Sequence, residues 1–166
     1  MALDWMSDAP SPFSKVLVAN RGEIAVRVIQ AAKEAGLSSV AVFSESDSSS
    51  LHVEMADEAV LLEGDSLEMT YLNGDSIIEA ARSTGADAIH PGYGFLSERA
   101  DFARTVEDAG IRWIGPSAHA IETMGDKISA RTLMIESGVP VIPGEQIPIE
   151  DGADHLGALA LSLIHI

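Results

Sequence analysis

One stretch of the sequence decides the fold: Ala88-Ile89-His90-Pro91-Gly92-Tyr93-Gly94-Phe95-Leu96-Ser97-Glu98. Its apolar start predicts a buried strand, which must end at Pro91 because proline lacks the N–H that a central sheet ladder needs. Gly92 and Gly94 allow the backbone to pass close to another group or to take a positive φ. Ser97 is expected to cap the next helix. Ligands of open α/β sheets bind beyond the carboxyl ends of strands, so Tyr93 is a candidate site residue.

The rest of the chain alternates short apolar runs with segments of helical periodicity. The apolar runs predict buried strands, separated by about 25 residues, and the helices between them predict parallel βαβ units in an α/β fold. The predicted strands are residues 15–19, 40–43, 59–62, 86–89 and 111–114. The predicted helices lie between residues 20 and 36, 51 and 56, 75 and 85, 98 and 109, 117 and 124, and 126 and 137.

Polar residues at the predicted helix starts indicate N-caps. Asn20 is expected to cap the first helix, with Glu23 bonding back to it as in a capping box. Asp75, Ser117 and Asp126 stand at the starts of three later helices and are expected to act in the same way. Glycines are expected to end the helices because glycine accepts the left-handed conformation of a helix end. These glycines are Gly36, Gly85 and Gly110.

Composition narrows the classes of function. The 166 residues are 46% hydrophobic, which is enough for a sizeable core. Ten Lys and Arg residues against 26 Asp and Glu give a net charge of −16, which argues against nucleic acid and anionic membrane as partners. The chain has no cysteine, so disulfides, thiolate zinc sites and cysteine nucleophiles are excluded. No apolar run approaches the roughly 20 residues of a membrane span, and we expect a soluble, cytoplasmic protein.

The two ends of the chain differ in residue composition from the rest. Residues 1–13 contain no basic region, do not resemble a signal peptide and are expected to form a flexible leader. Residues 145–155 are acidic and polar, whereas residues 156–166 are apolar and lack a polar closing segment. An exposed apolar tail favours aggregation. We therefore expect the chain to be truncated, its end either packing inside a missing part or not being native to the protein.

The turn between the first strand and the first helix lies where a dinucleotide fold holds pyrophosphate. Only Gly22 is present there, so the GxGxxG fingerprint is absent. Glu45 and Asp47 follow the second strand, where a ribose-binding acid would lie, but without the glycines they indicate a nicotinamide or flavin cofactor only weakly. The alternative is that Arg21 and Glu23 form a helix cap with a local ion pair.

Lys127 stands in the first turn of a predicted helix, directly after its cap Asp126. A cation is unfavourable at that end because the helix dipole prefers anions there. This placement indicates an anionic partner such as a nucleotide phosphate. The alternative is a solvated lysine that pairs with Asp126 or Glu122.

No other catalytic pattern is present in the sequence. The five histidines show no metal-ligand spacing, and neither a GxSxG elbow nor a Walker A sequence occurs. His90 at the end of a strand is equally well explained as a core histidine that bonds a loop carbonyl. For the loop as a whole, the alternative to a binding site is a plain tight turn with a half-buried Tyr93.

Three segments together closely resemble the biotin carboxylase family, in the family's order and near its spacing. The most specific is the string from His90 to Glu98, and the resemblance covers the chain from about Phe13 to Glu145. The segments are Val18-Ala19-Asn20-Arg21-Gly22-Glu23-Ile24-Ala25, His90-Pro91-Gly92-Tyr93-Gly94-Phe95-Leu96-Ser97-Glu98 and Met124-Gly125-Asp126-Lys127.

The resemblance implies a Rossmann-like parallel sheet with helices on both faces over residues 14–125, followed over residues 126–166 by the truncated start of an ATP-grasp domain. It implies a parent enzyme that uses ATP, Mg²⁺ and bicarbonate to carboxylate biotin. Lys127 matches a family lysine that contacts ATP, and Tyr93 and Gly94 match residues beside the biotin-binding region.

The resemblance further implies a biotinyl carrier domain and a carboxyltransferase subunit as partners, and a homodimer of the full-length protein. We expect the parent to be an acetyl- or propionyl-CoA carboxylase. The alternatives are pyruvate carboxylase, another ATP-grasp ligase such as a carbamoyl-phosphate synthetase or purine-pathway enzyme, and a non-catalytic docking module.

The sequence departs from the family where most of the catalytic groups are expected. The family's glycine-rich lid, second ATP lysine, magnesium-binding carboxylates and bicarbonate-handling groups have no counterpart here. Phosphoryl transfer needs metal and cationic clamps, which one lysine cannot supply. We therefore expect no catalytic and no metal-binding residue in this chain, and no turnover by the chain alone.

Overall fold

A computed structural model describes residues 12–142 of the chain. Its sheet has five strands, all parallel, in the order β3-β2-β1-β4-β5. The strands are β1 Lys15–Val18, β2 Ser38–Phe43, β3 Glu58–Leu61, β4 Ala88–His90 and β5 Arg112–Trp113. The predicted parallel α/β architecture is confirmed.

Helices connect the strands and continue beyond the last one. They are α1 Gly22–Glu34, α2 Leu51–Met55, α3 Gly74–Thr84, α4 Ala100–Asp108, α5 Ala118–Gly125 and α6 Lys127–Glu136, with a 3₁₀ turn at Glu45–Asp47. Right-handed crossovers from this strand order place α1 and α2 on one face of the sheet and α3 and α4 on the other.

The core confirms that both faces of the sheet are covered. Leu17 packs in a cluster with residues of α3 and α4, whereas its neighbour Val18 packs against Ala25 and Ile29 of α1. Successive side chains of a strand point to opposite faces, so a strand covered on both sides is apolar at every position. This explains the unbroken apolar runs within β1 and β2, whereas β3, at the edge of the sheet, is mostly exposed.

The start of β4 lies two residues later than the sequence suggested. The amide of Ala86 donates to Ala81 O of α3 at 2.8 Å and so still belongs to the helix end. Asp87 uses its carboxylate to accept the backbone amides of Ser14 and Lys15 at 2.8–3.1 Å. The apolar run therefore indicates the strand, but its first residue, Ala86, belongs to the end of α3.

The predicted caps are correct only near the end of the described region. Ser117 Oγ accepts the amide of Ala120 at 3.2 Å, and Asp126 Oδ1 accepts that of Ser129 at 2.7 Å. These two predictions are confirmed.

Three other predicted caps are wrong. The cap of α3 is Asn73, whose side chain accepts the amide of Ser76 at 3.1 Å, and Asp75 lies inside the first turn. Helix α4 begins after Arg99, because Ser97 lies in a preceding turn. The cap position of α1 is occupied by Arg21, without a side-chain hydrogen bond, and Asn20 has other partners described below.

The described residues divide into two compact units, with the boundary between Gly125 and Asp126. The first contains the sheet and helices α1 to α5. The described part of the second contains α6, none of whose residues is buried, and there the Arg131 side chain donates to Ile142 O at 2.6 Å. Across residues 12–142, no helix combines the length and apolar character that crossing a bilayer requires.

Candidate site at the carboxyl edge of the sheet

The strand order reverses between β1 and β4, and the loops that follow these two strands meet at this point. Val18 pairs with His90 in the parallel register, and the amide of Ala19 donates to His90 O at 2.9 Å. Asn20 and Pro91 therefore face each other just beyond the strand ends. Such a reversal point is where open α/β sheets form ligand crevices.

Asn20 connects the two loops. Its side chain is buried, and its Nδ2 donates to Pro91 O and to Tyr93 O, both at 2.8 Å. Its Oδ1 accepts the amide of Arg21 at 2.9 Å. The expected capping box with Glu23 is therefore wrong, because Oδ1 accepts the Arg21 amide instead of an amide in the first turn of α1, whose cap position is Arg21.

Gly92 confirms both expectations made for a glycine in this loop. Its φ is +67°, and a Cβ placed there would lie 2.8 Å from Nδ2 of Asn20. Only glycine therefore fits between the loop and the Asn20 amide without displacement. Gly94 also has a positive φ, +65°, but a Cβ there would meet no atom within 4 Å.

His90 holds the same loop from the β4 side. Its Nδ1 accepts the amide of Gly92 at 2.9 Å, which assigns the ring proton to Nε2 by hydrogen-bond geometry. Burial lowers the pKa of His90. The expectation that this histidine bonds a loop carbonyl is wrong, because the ring nitrogen accepts a hydrogen bond from a loop amide.

Tyr93 extends away from this anchored backbone. Its side chain is 62% exposed, so the alternative of a half-buried tyrosine in a tight turn is wrong. The following residue, Gly94, is exposed as well. The loop thus presents an aromatic ring and an open stretch of backbone beyond the strand ends.

The far end of the loop is anchored by an aromatic stack. Phe95 has a φ of +43°, which is unusual for a residue with a side chain. Its ring stacks on that of Tyr71 with centroids 5.4 Å apart and planes 8° from parallel. Tyr71 is only 1% exposed, so the contact is internal. Backbone strain of this kind persists only where the surrounding structure fixes it.

Tyr71 belongs to a buried polar network that the sequence did not reveal. Its hydroxyl donates to Asp47 Oδ2 at 2.6 Å and accepts the amide of Ser44 at 3.1 Å. The Arg21 guanidinium pairs with Asp47 and lies 5.6 Å from the Tyr71 ring centroid. The expected local ion pair of Arg21 is therefore wrong. Nothing local in the sequence indicates this set, because the hydrogen bonds of Arg21 and Tyr71 join residues that are 24 to 27 positions apart.

The network shifts the pKa values of Asp47 and Tyr71 in opposite directions. Burial alone would raise the pKa of Asp47, but hydrogen bonds from Tyr71 and Arg21 keep it below its ordinary value. Burial and the neighbouring carboxylate raise the pKa of Tyr71 to about 12. The network therefore holds an ionised Asp47 and a protonated Tyr71 at neutral pH.

The described part of the chain has several surface clefts. One of about 310 Å³ lies beside Arg21 and Tyr71, and another of about 420 Å³ reaches His90 from the α1 side. A third, of about 890 Å³, lies along β3, α3 and α4, away from the candidate loop. Size alone does not identify the site, and the convergence of polar groups at the strand ends is the better guide.

Lys127 begins α6 in the second unit, and its side chain is exposed. The two carboxylates proposed as its partners are engaged elsewhere. Asp126 caps α6 through Ser129, and Glu122 pairs with Arg104. The surface ion pair offered as the alternative for Lys127 is therefore not supported, and its contact with a phosphate stays a prediction.

The described residues do not form a metal centre on their own. Within residues 12–142 no group of three His, Asp or Glu side chains is close enough to hold a metal ion.

Comparison with known proteins finds matches that all belong to one family. The model of the family described as biotin carboxylase, N-terminal domain, matches residues 12–121. The chain is 52% identical over 93% of its length to the biotin-dependent acyl-coenzyme A carboxylase alpha3 subunit of Mycobacterium leprae. It is 54% identical over 84% of its length to a biotin carboxylase of Halalkalibacterium halodurans, and 53% identical over 83% to the mitochondrial pyruvate carboxylase of Rattus norvegicus. The chain spans 26%, 31% and 12% of these relatives, respectively.

Solved structures give the same result. The biotin carboxylase domain of a thermophilic 2-oxoglutarate carboxylase, bound to bicarbonate, matches with a TM-score of 0.79 and 51% identity. That match covers 84% of this chain and 31% of the other. The urea amidolyase of K. lactis matches with a TM-score of 0.78 and 50% identity, covering 81% of this chain and 8% of the other.

Proposed function

The chain belongs to the biotin carboxylase family through its N-terminal domain, and from that premise we propose that it is the leading part of an enzyme that carboxylates biotin. The observation that carries the proposal is the family match over residues 12–121, which includes the whole loop from His90 to Glu98. The overall reaction converts ATP, bicarbonate and biotin into ADP, phosphate and carboxybiotin.

The residues singled out have distinct roles in this proposal. Lys127 binds ATP, because its ammonium group attracts the negative charge of the phosphates. Tyr93 and Gly94 form part of the wall beside biotin. The exposed Tyr93 ring offers an apolar surface to the bicyclic ligand, and the missing side chain of Gly94 lets the ligand approach the backbone.

The rest of the machinery belongs to the longer parent enzyme. ATP is bound with Mg²⁺, which supplies charge stabilisation during phosphoryl transfer. A biotinyl carrier domain delivers biotin, a carboxyltransferase subunit receives the carboxyl group, and the full-length protein is a cytoplasmic homodimer. The parent is an acyl-CoA carboxylase. The mycobacterial acyl-CoA carboxylase subunit, aligned over 154 residues against 139 for the rat pyruvate carboxylase, supports this choice.

A fusion protein tests the proposal. Residues 1–142 of this chain would replace the matching segment of Biotin carboxylase 1 from Bacillus subtilis, to which the chain is 53% identical. We expect ADP release that requires both bicarbonate and biotin, and incorporation of labelled bicarbonate into biotin. We expect neither from the 166-residue chain alone, because its sequence has no recognised counterpart of the family's cationic and metal clamps.

The same assay, together with a thermal-shift measurement, separates the alternative functions. ADP release that depends on ammonia or glutamine instead of biotin would favour a carbamoyl-phosphate synthetase. A correctly folded fusion that never releases ADP would favour a docking module. A thermal shift of the chain with NAD, absent with ATP, would favour the dinucleotide alternative.

A further inference from the structure

We propose that Asn20 is a positioning residue for biotin: it sets the orientation of the peptide groups that present Tyr93 and Gly94. The proposal rests on the function proposed above, which places these two residues beside biotin. Asn20 itself is buried behind the loop and does not contact the ligand.

The first argument is the identity of the two acceptors. Nδ2 of Asn20 donates to Pro91 O and Tyr93 O at 2.8 Å each, so both of its protons are used within one loop. A single rigid amide thus binds two carbonyl groups that are two residues apart. Because the Asn20 Oδ1 is held in turn by the amide of Arg21, the side chain has no freedom to rotate.

The second argument follows from peptide geometry. In a trans peptide the carbonyl and the next amide point in opposite directions. The Pro91 carbonyl points to Asn20, and the Gly92 amide accordingly points the other way and donates to His90 Nδ1 at 2.9 Å. The Tyr93 carbonyl also points to Asn20, so the Gly94 amide is directed away from the protein interior.

The third argument concerns what the Gly94 amide finds there. Gly94 is exposed, and its amide forms no hydrogen bond with the part of the chain that the structure describes. A backbone donor held in a fixed direction, next to an exposed Tyr93 ring, is a preorganised contact for a ligand.

The fourth argument is that α1 begins without a side-chain N-cap. Asn20 precedes the helix and is one of the best residue types for an N-cap, yet the cap position is Arg21 and has no side-chain hydrogen bond. Oδ1 of Asn20, the atom that could have capped the helix, accepts the Arg21 amide, and this orientation of the side chain directs Nδ2 to the loop. The loop conformation is therefore the feature that this residue maintains.

The substitution Asn20→Asp isolates the effect. It keeps the shape of the side chain and the acceptor for the Arg21 amide, but replaces both donated hydrogen bonds by contacts between oxygens. Asn20→Ala removes the same bonds without that repulsion and serves if the aspartate variant does not fold. Ser39→Ala is the matched control, because Ser39 is also buried and hydrogen-bonded to Asp57, away from the loop.

Two measurements decide the proposal. In the 166-residue chain, amide hydrogen exchange of Gly92 should accelerate at least tenfold in the Asn20 variants and stay unchanged in Ser39→Ala. In the active fusion protein, KM for biotin should rise roughly tenfold to a hundredfold with little change in KM for ATP. Ser39→Ala should leave both constants unchanged.

Each outcome has a defined meaning. Unchanged exchange at Gly92 would overturn the proposed clamp. Faster exchange with an unchanged biotin KM, or an equal rise of the KM values for ATP and biotin, would overturn the positioning role while leaving the proposed function intact. A parent fusion that folds but shows no biotin-dependent turnover would overturn the proposed function, and with it the assignment of biotin to this loop.

Discussion

Asn20 shows how a residue can have two uses of which the sequence displays only one. Its place before a helix predicts a cap, and that expectation uses only the neighbouring residues. In the structure Nδ2 donates to Pro91 O and Tyr93 O, and Oδ1, the atom that would cap the helix, accepts the Arg21 amide. Carbonyl groups at a strand end inside the protein are costly to leave unpaired, whereas the first amides of α1 can be satisfied by solvent. The long-range partners therefore prevail.

The two loop glycines allow a matched test of close packing. Gly92→Ala and Gly94→Ala both place a side chain at a φ near +66°, which costs about 1 kcal/mol. Only the Cβ at position 92 would meet Asn20, at 2.8 Å, and this crowding should add about 1–3 kcal/mol. Urea unfolding of the two variants measures the difference. Equal losses of stability would show that the loop does not press on Asn20.

Tyr71 provides a test at acidic pH. The folded-state pKa of Asp47 lies below its ordinary value, so ionised Asp47 stabilises the fold above that value and its contribution is lost as pH falls through the folded-state pKa. Tyr71→Phe keeps the ring but removes the hydrogen bond to Asp47, and should cost about 1.5–3 kcal/mol at pH 7. The difference between variant and wild type should shrink as pH falls below about 4, where the unfolded chain begins to bind a proton at Asp47, and then through the lower folded-state pKa of Asp47. A difference that is constant from pH 7 to pH 3 in chemical unfolding would contradict this.

At the level of elements, the strands were predictable and their boundaries were less so. Strands covered on both faces leave an unbroken apolar run, and every predicted strand is present. Ala86 illustrates the error in the boundaries, because it is apolar but completes the end of α3. Hydrogen bonding at the junction decides the boundary, and hydrophobicity does not record it.

Helix starts show the same contrast. At α3 both Asn73 and Asp75 are suitable caps, and the sequence alone gave no reason to prefer the first. The structure places the chain turn at Asn73, which accepts the amide of Ser76 at 3.1 Å.

The corrected cap of α3 can be tested directly. Asn73→Ala should lower the free energy of unfolding by about 1 kcal/mol, because the Ser76 amide loses its partner. Asp75→Ala should cost less, about 0.3–0.5 kcal/mol, since Asp75 contributes only its charge near the helix N-terminus. Thermal unfolding of both variants compares them. A larger loss for Asp75→Ala would restore the cap that the sequence suggested.

At the scale of the whole molecule, the family and the candidate loop were predictable from the sequence. The long-range contacts that hold the loop were not. The glycine conformations followed from residue type, whereas the network of Arg21, Asp47 and Tyr71 joins residues from separate connections of the sheet. Their proximity depends on the strand order, in which β1, β2 and β3 are neighbours. Tyr93, Gly94 and Lys127 remain predicted ligand contacts, supported by family membership.

The central proposal is that Lys127 binds ATP and that the loop with Tyr93 and Gly94 binds biotin, both in one carboxylase. The most direct test is Lys127→Met in the fusion protein, with Lys33→Met as a control on an exposed lysine of α1. We predict that Lys127→Met raises KM for ATP at least about tenfold and leaves KM for biotin unchanged, while Lys33→Met changes neither constant. An unchanged KM for ATP in Lys127→Met, or an equal rise of both KM values, would contradict the account.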